Sequence, residues 1–400
     1  MEKVTGIGGI FYRAERAESL REFYRESLGI EIEAYGGSAF MWRDIDDLTV
    51  TGTTVWSVFD DETTYFAPSE SRFMVNFRVR DLDRMREQLG RAGAVVDERV
   101  EMSEFGRFGW ARDPEGNKIE LWEPPPTERR GTRCWIVDAF TERPFSGNPA
   151  AVCLVDSFPD DSVMLEIARE NALSETAFLV PRAGELDDAP EYELRWFTPR
   201  VEVELCGHAT LASAHVIFSK LAAAAERVVF HTKSGPLTVL RDGARLSMDF
   251  PARGVAPAEP PAGLAEALGA EPLETFGVAD GLVCVLASAE AVRALAPDMT
   301  HLGALEAEFV CVTARAADDD GDVDFVSRFF APKKGVPEDP VTGSAHCALA
   351  PLWASRFDKS TLRARQLSER GGEISCEVHS DRVVLTGSAV TVKLGVLLVV

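Results

Sequence analysis

The sequence has 400 residues, of which 46% are apolar and 27% are charged, and its formal net charge is −23. This composition is typical of a globular chain of two or three domains. The acidic charge argues against nucleic acid and anionic membrane surfaces as partners, because both require a basic patch. A small anionic substrate remains compatible with it, since a few local hydrogen-bond donors can hold one.

The seven cysteines are scattered along the chain and form no CxxC pair. That pattern argues against a disulfide framework or a zinc site and favours a reducing compartment. The first residues, "MEKVTGIGGIFYRAE", contain no apolar signal-peptide core, and the apolar end "LGVLLVV" is too short to span a bilayer. We therefore expect a cytoplasmic protein without a membrane partner.

The first predicted elements follow the order strand (6–14), helix (18–28), several short strands, strand (72–79), helix (82–92) and further strands up to Trp122. This order is a βαβββ pattern written twice. It ends at "EPPPTERRGTR", where three prolines are followed by charged residues and a glycine. The predicted organisation is therefore a domain at 1–123, a linker at 124–132 and a second domain at 133–400.

Three stretches of the first domain, "REFYRESLGI", "FRVRDLDRMREQLGRAGA" and "ARDPEGNKIELWEP", resemble the vicinal-oxygen-chelate superfamily of glyoxalases and bleomycin-resistance proteins. The resemblance implies a chelate fold and places the metal-ligand positions of that superfamily at Gly9, Met74 and Glu120. The region contains no histidine, and one carboxylate cannot hold a divalent transition metal. We expect a metal-free module that binds a ligand or pairs with a second copy, and hence a homodimer.

The second domain is predicted to alternate strands and helices in two lobes, which makes the whole chain α+β. Its helices are expected at 163–171 and from 209, and a Pro/Ala-rich connector, "PARGVAPAEPPAG" (251–263), divides the lobes. The order of elements then begins again. The strands of both lobes are predicted at 134–140, 150–155, 176–180, 192–197, 227–231, 237–241, 245–250, 282–287, 309–314 and 323–330.

The repeat brings two short motifs into register, "CGHATLASAH" and "TGSAHCALAP". Gly207 matches Gly343 and Cys206 matches Thr342, and each motif opens an Ala-rich helix. A glycine at a helix start lets a ligand approach the backbone closely. The free N–H groups and the positive end of the helix dipole then favour an anion. Two such starts facing each other across a cleft would hold a substrate carboxylate.

Several longer stretches of the second domain resemble the PhzF-like isomerases of phenazine biosynthesis, which share the diaminopimelate epimerase fold. The stretches are "VDAFTERPFSGNPAAVCL", "NALSETAFLV", "RWFTPRVEVELCGHATLASAH", "EDPVTGSAHCALAPLWA" and "RQLSERGGEI". The resemblance places the family's central acid/base at Glu175, its histidine at His208, and the Asp and Ser of its second motif at Asp339 and Ser344. Asn148, in "SGNPAAV", is expected to border the same pocket.

Together these residues predict a cofactor-independent isomerase that moves a proton within a small carboxylate substrate. A partly buried carboxylate at Glu175 can take a proton and return it, while His208 and Asp339 orient the substrate or relay protons. The hydroxyl of Ser344 and the helix starts at Gly207, Thr342 and Gly343 would hold the carboxylate.

Three alternatives remain open. The first is an amino-acid epimerase or racemase, whose relatives use two facing cysteines. Here those positions hold Cys206 and Thr342, and a threonine cannot serve as a second thiolate. The second is a metal-dependent glyoxalase or dioxygenase in the first domain. The third is a protein that sequesters a ligand through that domain without catalysis.

Overall fold

The computed structural model describes residues 1–44, 49–125, 131–182, 189–279 and 281–398. The chain forms two compact units, Met1–Gly131 and Thr132–Val400. Part of the predicted linker, 126–130, lies outside the described residues. Within the described ranges, no helix combines the length and the apolar character needed to cross a bilayer.

The first unit is a seven-stranded sheet with two helices. The described elements are β1 (Val4–Ala14), α1 (Ala17–Leu28), β2 (Gly37–Arg43), β3 (Thr51–Asp60), β4 (Phe73–Val79), α2 (Leu82–Arg91), β5 (Val95–Ser103), β6 (Gly106–Arg112) and β7 (Lys118–Glu123). The strand order is β2-β3-β1-β4-β7-β6-β5. The two halves of the sheet meet where β1 and β4 pair antiparallel, and each half also contains one parallel pair, β1 with β3 and β4 with β7.

The two halves differ in one strand. The second half follows the predicted βαβββ order, whereas the described part of the first half has two strands after its helix instead of three. The segment between α1 and β2 closes on itself: the N–H of Glu33 donates to Gly37 O (2.8 Å) and that of Gly36 donates to Glu33 O (2.9 Å). Gly36 also has a φ of +83°, which suits a turn and not an extended strand.

The apolar face of α1 is largely uncovered. The spacing of Leu20, Phe23, Tyr24 and Leu28 predicts one apolar stripe on this helix. In the structure only Ala17 of α1 is buried, while Phe23 and Leu28 are 56% and 63% exposed. Leu20 and Tyr24 are half-buried, so the stripe is present but Phe23 and Leu28 remain exposed.

The second unit is one closed barrel of strands, and its described residues also form six α-helices. Its helices are α3 (Asp161–Asn171), α4 (Gly207–Val216), α5 (Leu264–Leu268), α6 (Ala289–Ala294), α7 (Met299–Ala304) and α8 (Gly343–Phe357). Its strands are β8 (Thr132–Ala139), β9 (Asn148–Leu154), β10 (Glu175–Pro181), β11 (Glu191–Phe197), β12 (Glu202–Val203), β13 (Arg227–Thr232), β14 (Gly235–Asp242), β15 (Arg245–Pro251), β16 (Ala256–Pro257), β17 (Glu274–Val278), β18 (Gly281–Val285), β19 (Val310–Arg315), β20 (Phe325–Ala331), β21 (Val336–Asp339), β22 (Thr361–Gln366), β23 (Gly372–His379), β24 (Arg382–Gly387) and β25 (Ala389–Leu397).

Strand pairing shows the duplication directly. The parallel pairs β9–β10 and β11–β13 of the first lobe recur in the second lobe as β18–β19 and β20–β22. The lobes join where β15 pairs antiparallel with β24. The last strand, β25, returns to pair with β8, so the first lobe contains both ends of this unit. The connector at 251–263 is thus one of two crossings between the lobes.

Helices α4 and α8 occupy the corresponding place in each lobe, and eight of the ten residues of α4 and eight of the fifteen of α8 are buried. Small side chains suit that position because they let the surrounding strands pack closely. Helix α8 contains Pro351, whose missing N–H leaves the carbonyl of Cys347 without its usual partner within the helix. The N–H of Arg253, in the connector, donates to that carbonyl instead (2.9 Å).

Candidate active site

The starts of α4 and α8 lie against each other. A Cβ atom added to Gly207 would lie 3.9 Å from the Cα of Gly343, which is ordinary van der Waals contact. The preceding residues, Cys206 and Thr342, adopt extended backbone conformations and give their helices no side-chain cap. Backbone N–H groups at both starts therefore remain available to an anion. The structure thus brings the two repeated motifs together.

Asn148 links the two motifs from the start of β9. Its side chain is fully buried, and its Nδ2 lies 2.9 Å from Asp339 Oδ1, 2.9 Å from Val341 O and 3.2 Å from His208 Nδ1. The carboxylate and the carbonyl can only accept, so the amide nitrogen must face them. The three acceptors share the two amide hydrogens, and the amide nitrogen cannot accept, so Nδ1 is unprotonated and a neutral His208 ring carries its proton on Nε2.

Glu175 faces that nitrogen from the start of β10. Its Oε2 lies 3.0 Å from His208 Nε2, and its side chain keeps 17% of its surface exposed, against 6% for the histidine. Neither of these two atoms has an aligned hydrogen bond within the described part of the chain. Burial alone lowers the pKa of His208, but the neighbouring Cys206 sulfur and Glu175 carboxylate outweigh it and raise that pKa above its ordinary value.

Asp339 ends β21 and lies half-buried beside the same group. Burial, with a smaller contribution from the charge of Glu175, raises the pKa of Asp339 from 3.8 to about 6. The hydroxyl of Thr342 donates to Asp339 Oδ2. Near neutral pH this carboxyl group can therefore exist in both protonation states.

Gln366 is part of this network, and the sequence analysis did not identify it. Its side chain is buried; Nε2 donates to the carbonyl of Asp339 (2.7 Å) and Oε1 accepts from the N–H of Thr342 (2.9 Å). It thereby fixes the backbone on both sides of the turn before α8. Its place at the beginning of the quoted stretch "RQLSERGGEI" is the only sequence signal that could have indicated it.

Ser344 and Cys206 occupy different environments. The hydroxyl of Ser344, in the first turn of α8, has no hydrogen-bond partner among the residues described and lines a narrow cavity with Arg253, Phe309 and Phe329. The Cys206 sulfur lies 3.5 Å from His208 Nδ1. Burial, together with the charge of Glu175, raises the pKa of the Cys206 thiol, which therefore keeps its proton.

All eight residues that the sequence assigned to the site lie in or beside this network.

Glu175, Cys206 and His208 also place three possible metal-ligand atoms within 4.8 Å of one another. Such a donor set could hold zinc, but only with cysteine as a thiolate. The raised pKa of the thiol and the contact between Glu175 and His208 favour proton exchange among these groups.

The comparisons with known proteins agree with this geometry. A family model described as phenazine biosynthesis-like protein matches residues 137–395. An uncharacterised isomerase of Pseudomonas aeruginosa is 51% identical over 253 residues, covering 63% of this chain and 93% of the relative. A phenazine biosynthesis-like domain-containing protein of Mus musculus is 36% identical over 288 residues, covering 66% and 98%. The chain belongs to the phenazine biosynthesis-like family.

Solved structures give the same fold for this unit. A PhzF-family protein of Enterococcus faecalis aligns with a TM-score of 0.62 and 42% identity, covering 66% of this chain and 98% of its own. A predicted epimerase of Pseudomonas aeruginosa aligns with a TM-score of 0.52 and 26% identity, covering 67% and 100%. The resemblance to PhzF-like isomerases and the predicted fold class are confirmed, and the chain is an isomerase of this family.

A second family model, described as a glyoxalase-like domain, matches residues 9–122 and confirms the resemblance of the first unit. The interior of this glyoxalase-like domain does not fit a metal. Met74 is buried in an apolar cluster with Phe11, and a Cβ on Gly9 would lie 2.9 Å from both the Phe11 ring and Val55 O. In the register of β4 and β7, the residue of β4 that lies opposite Glu120 is Asn76, and not Met74.

Glu120 is instead fully bonded inside the protein. It accepts hydrogen bonds from the hydroxyl of Tyr65, from Asn76 Nδ2 (2.6 Å) and from Trp110 Nε1 (2.8 Å). Burial raises the pKa of Glu120. Three neutral donors therefore surround the one carboxylate that the resemblance assigns to a metal.

Proposed function

We propose that the phenazine biosynthesis-like unit moves a proton within a small carboxylate substrate by general acid/base catalysis, without a cofactor. The observation that carries the proposal is the approach of Gly207 to Gly343 directly beside Glu175, His208 and Asp339. One end of the cleft offers backbone donors for an anion, and the neighbouring end offers groups that exchange protons.

The two helix starts are the proposed carboxylate site. The N–H groups at Gly207 and Gly343 would donate to the two oxygens, and the free hydroxyl of Ser344 would donate to one of them. Because the glycines carry no Cβ, a ligand can approach both backbones closely. A cation is not required, since each helix also contributes the positive end of its dipole.

Glu175 is the proposed proton carrier. Its side chain is partly exposed, so a substrate C–H can reach it, and the carboxylate would remove a proton from one carbon and return it to another. The Nε2–H of His208, 3.0 Å away, would stabilise the carboxylate and orient it. Asp339, with a pKa near 6, would bind or relay through its protonated form.

An amino-acid epimerase is the second candidate, because Cys206 stands where the first of two catalytic cysteines would stand. Its sulfur is 3.5 Å from His208 Nδ1, which could receive the thiol proton. The facing position holds Thr342, whose hydroxyl is engaged with Asp339. A one-thiol site cannot invert a carbon by the two-base route.

We further propose that the glyoxalase-like domain is a metal-free binding or pairing module, and that the protein is a cytoplasmic homodimer. The exposed apolar residues of α1, Phe23 and Leu28, support pairing. Sedimentation of the wild type beside Phe23→Ser would test it: a dimer that becomes a monomer in the variant supports pairing through this face, and a wild-type monomer contradicts it.

The isomerase proposal is tested by comparing Glu175→Gln with Cys206→Ala on a carboxylate that the wild type converts. Glu175→Gln keeps the size of the side chain but removes its ability to carry a proton, so we expect turnover to fall by about 10²–10⁴-fold. Cys206→Ala should retain most of the turnover. The reverse pattern would replace the proposal with the epimerase.

A further inference from the structure

The loop between β8 and β9 ends at Asn148, and it is attached to the opposite lobe by one arginine. Arg370 lies in the turn between β22 and β23. Its Nε donates to Gly147 O (2.9 Å) and its Nη2 donates to Ser146 O (3.3 Å). The two carbonyls belong to the residues immediately before Asn148.

The same guanidinium forms an ion pair at the other end of the loop. Arg370 Nη2 lies 2.7 Å from Asp138 Oδ1, and the carboxylate of Asp138 is only 2% exposed. The second oxygen, Oδ2, accepts from the N–H of Phe145 (2.7 Å). Asp138 and Arg370 therefore tie the last residues of the loop, 145–147, to the strand from which the loop begins.

Backbone contacts bring the two segments to a fixed distance. The N–H of Gly147 donates to Gly371 O (2.7 Å) and the N–H of Glu373 donates to Phe140 O (3.0 Å). Gly147 has a φ of +71°, and a Cβ there would lie 2.2 Å from Ala139 O. Two backbone hydrogen bonds thus join the turn of the second lobe to the loop of the first lobe, in addition to the contacts of Arg370.

We propose that Arg370 is a positioning residue of the active site. Through Asp138 and the carbonyls of residues 146 and 147 it sets the place of the Asn148 amide, and Asn148 in turn keeps His208 Nδ1 as an acceptor. The ring proton is then on Nε2, which lies 3.0 Å from Glu175 Oε2. The effect of Arg370 on catalysis rests on the proposed function. Its effect on the His208 tautomer does not, because that tautomer can be measured without a substrate.

Arginine suits this role because its planar fork serves several acceptors at once. A lysine at 370 would keep the charge for Asp138 but could not reach both carbonyls in the same geometry. A glutamine would lose the charge and leave the Asp138 carboxylate buried without its partner. The two substitutions therefore separate the ion pair from the contacts to the loop.

The experiment measures the proton position on His208 by ¹⁵N NMR of the full-length protein labelled at its histidines, with the signal assigned from His208→Asn. At high pH, where the ring is neutral, wild-type His208 should show an unprotonated Nδ1 and a protonated Nε2. In Arg370→Gln the loop should relax, and the two nitrogens should shift towards the average of both tautomers. Arg370→Lys should give a smaller shift in the same direction.

Arg382→Gln is the matched control. Arg382 also pairs with an aspartate, Asp249, through Nε (3.0 Å), and bonds a backbone carbonyl, but it does not contact the loop before Asn148. Its variant should leave the His208 signals unchanged. If the Arg370→Gln protein does not fold, the Arg370→Lys spectrum decides alone. Wild-type His208 signals in the folded Arg370 variants would overturn the proposal, whether or not the protein proves to be an isomerase.

Discussion

The two units of this protein each contain a glutamate that a family resemblance identifies, and the surroundings of the two differ. Glu120 is 1% exposed and accepts from three neutral donors. The Glu175 side chain is 17% exposed and lies beside a histidine without an aligned hydrogen bond. A carboxylate whose hydrogen bonds are all made inside the protein has a structural role, whereas one that is open and close to other titratable groups can exchange protons.

Replacing each glutamate with glutamine should give the largest difference between the catalytic role of Glu175 and the structural role of Glu120. Glu175→Gln should lower turnover by about 10²–10⁴-fold with little change in melting temperature. Glu120→Gln should leave turnover intact, because Asn76 can turn its unpartnered Oδ1 towards the new amide. Steady-state rates and melting curves of both variants provide the check. Equal losses of turnover would remove the distinction.

Removing the buried carboxylate altogether should reveal its structural role. Glu120→Ala leaves three buried donors, on Tyr65, Asn76 and Trp110, without an acceptor. Unpaired buried groups cost about 1–3 kcal/mol each, so we expect the free energy of unfolding of the glyoxalase-like domain to fall by on the order of 3 kcal/mol. Denaturant unfolding would measure it. A variant as stable as the wild type would show that Glu120 is not structural.

Asp339 should make the second unit less stable as pH rises. Its pKa is raised from 3.8 to about 6 in the folded state, so its contribution is fully present below about pH 4 and is lost as pH rises through 6. The loss is at most roughly 3 kcal/mol. Asp339→Asn should therefore gain stability over the wild type at pH 8 but not at pH 4.

Melting curves at the two pH values would measure this difference. The matched control is Asp322→Asn, whose side chain is 92% exposed and which should show no such pH dependence. A stability difference between Asp339→Asn and the wild type that stays constant from pH 4 to pH 8 would contradict the assignment.

Removal of metal should have the smallest effect of all, because we expect no bound metal in either unit. Elemental analysis of the purified protein should find no stoichiometric zinc, iron, nickel or manganese, and a chelator should leave turnover unchanged. Zinc that disappears in Cys206→Ala would instead assign the Glu175, Cys206 and His208 group to a metal. Metal that disappears in Glu120→Gln would make the glyoxalase-like domain a metalloenzyme.

The repeated motifs were predictable because a duplication leaves a matching pattern in the sequence. Gly207 and Gly343 follow similar strands and open similar helices, so their approach follows from the symmetry of the fold. The family resemblance, in the same way, identified Glu175, His208, Asp339 and Ser344 by type. Predicting these residues required no knowledge of side-chain packing.

Asn148 was expected at the pocket, but the contacts that connect the site were not predictable in the same way. Asn148 bonds partners 60 and 191 positions away, and Gln366 and Arg370 reach the site from a different hairpin. Such contacts depend on how distant strands pack in three dimensions, and they produce no periodic pattern in the local sequence. The strand expected before β2 was also mispredicted. The stretch "GIEIEAYGG" alternates apolar and polar residues as a strand does, but its backbone hydrogen bonds form a local turn.

The most direct test of the central claim is the transfer of solvent deuterium into a carboxylate. Wild type, Glu175→Gln and Cys206→Ala would each be incubated in D₂O with a panel of small unsaturated carboxylic acids, and the loss of C–H signals would be followed by NMR. We predict exchange and isomerisation by the wild type and by Cys206→Ala, and neither by Glu175→Gln. Exchange that persists in Glu175→Gln and disappears in Cys206→Ala would contradict the account.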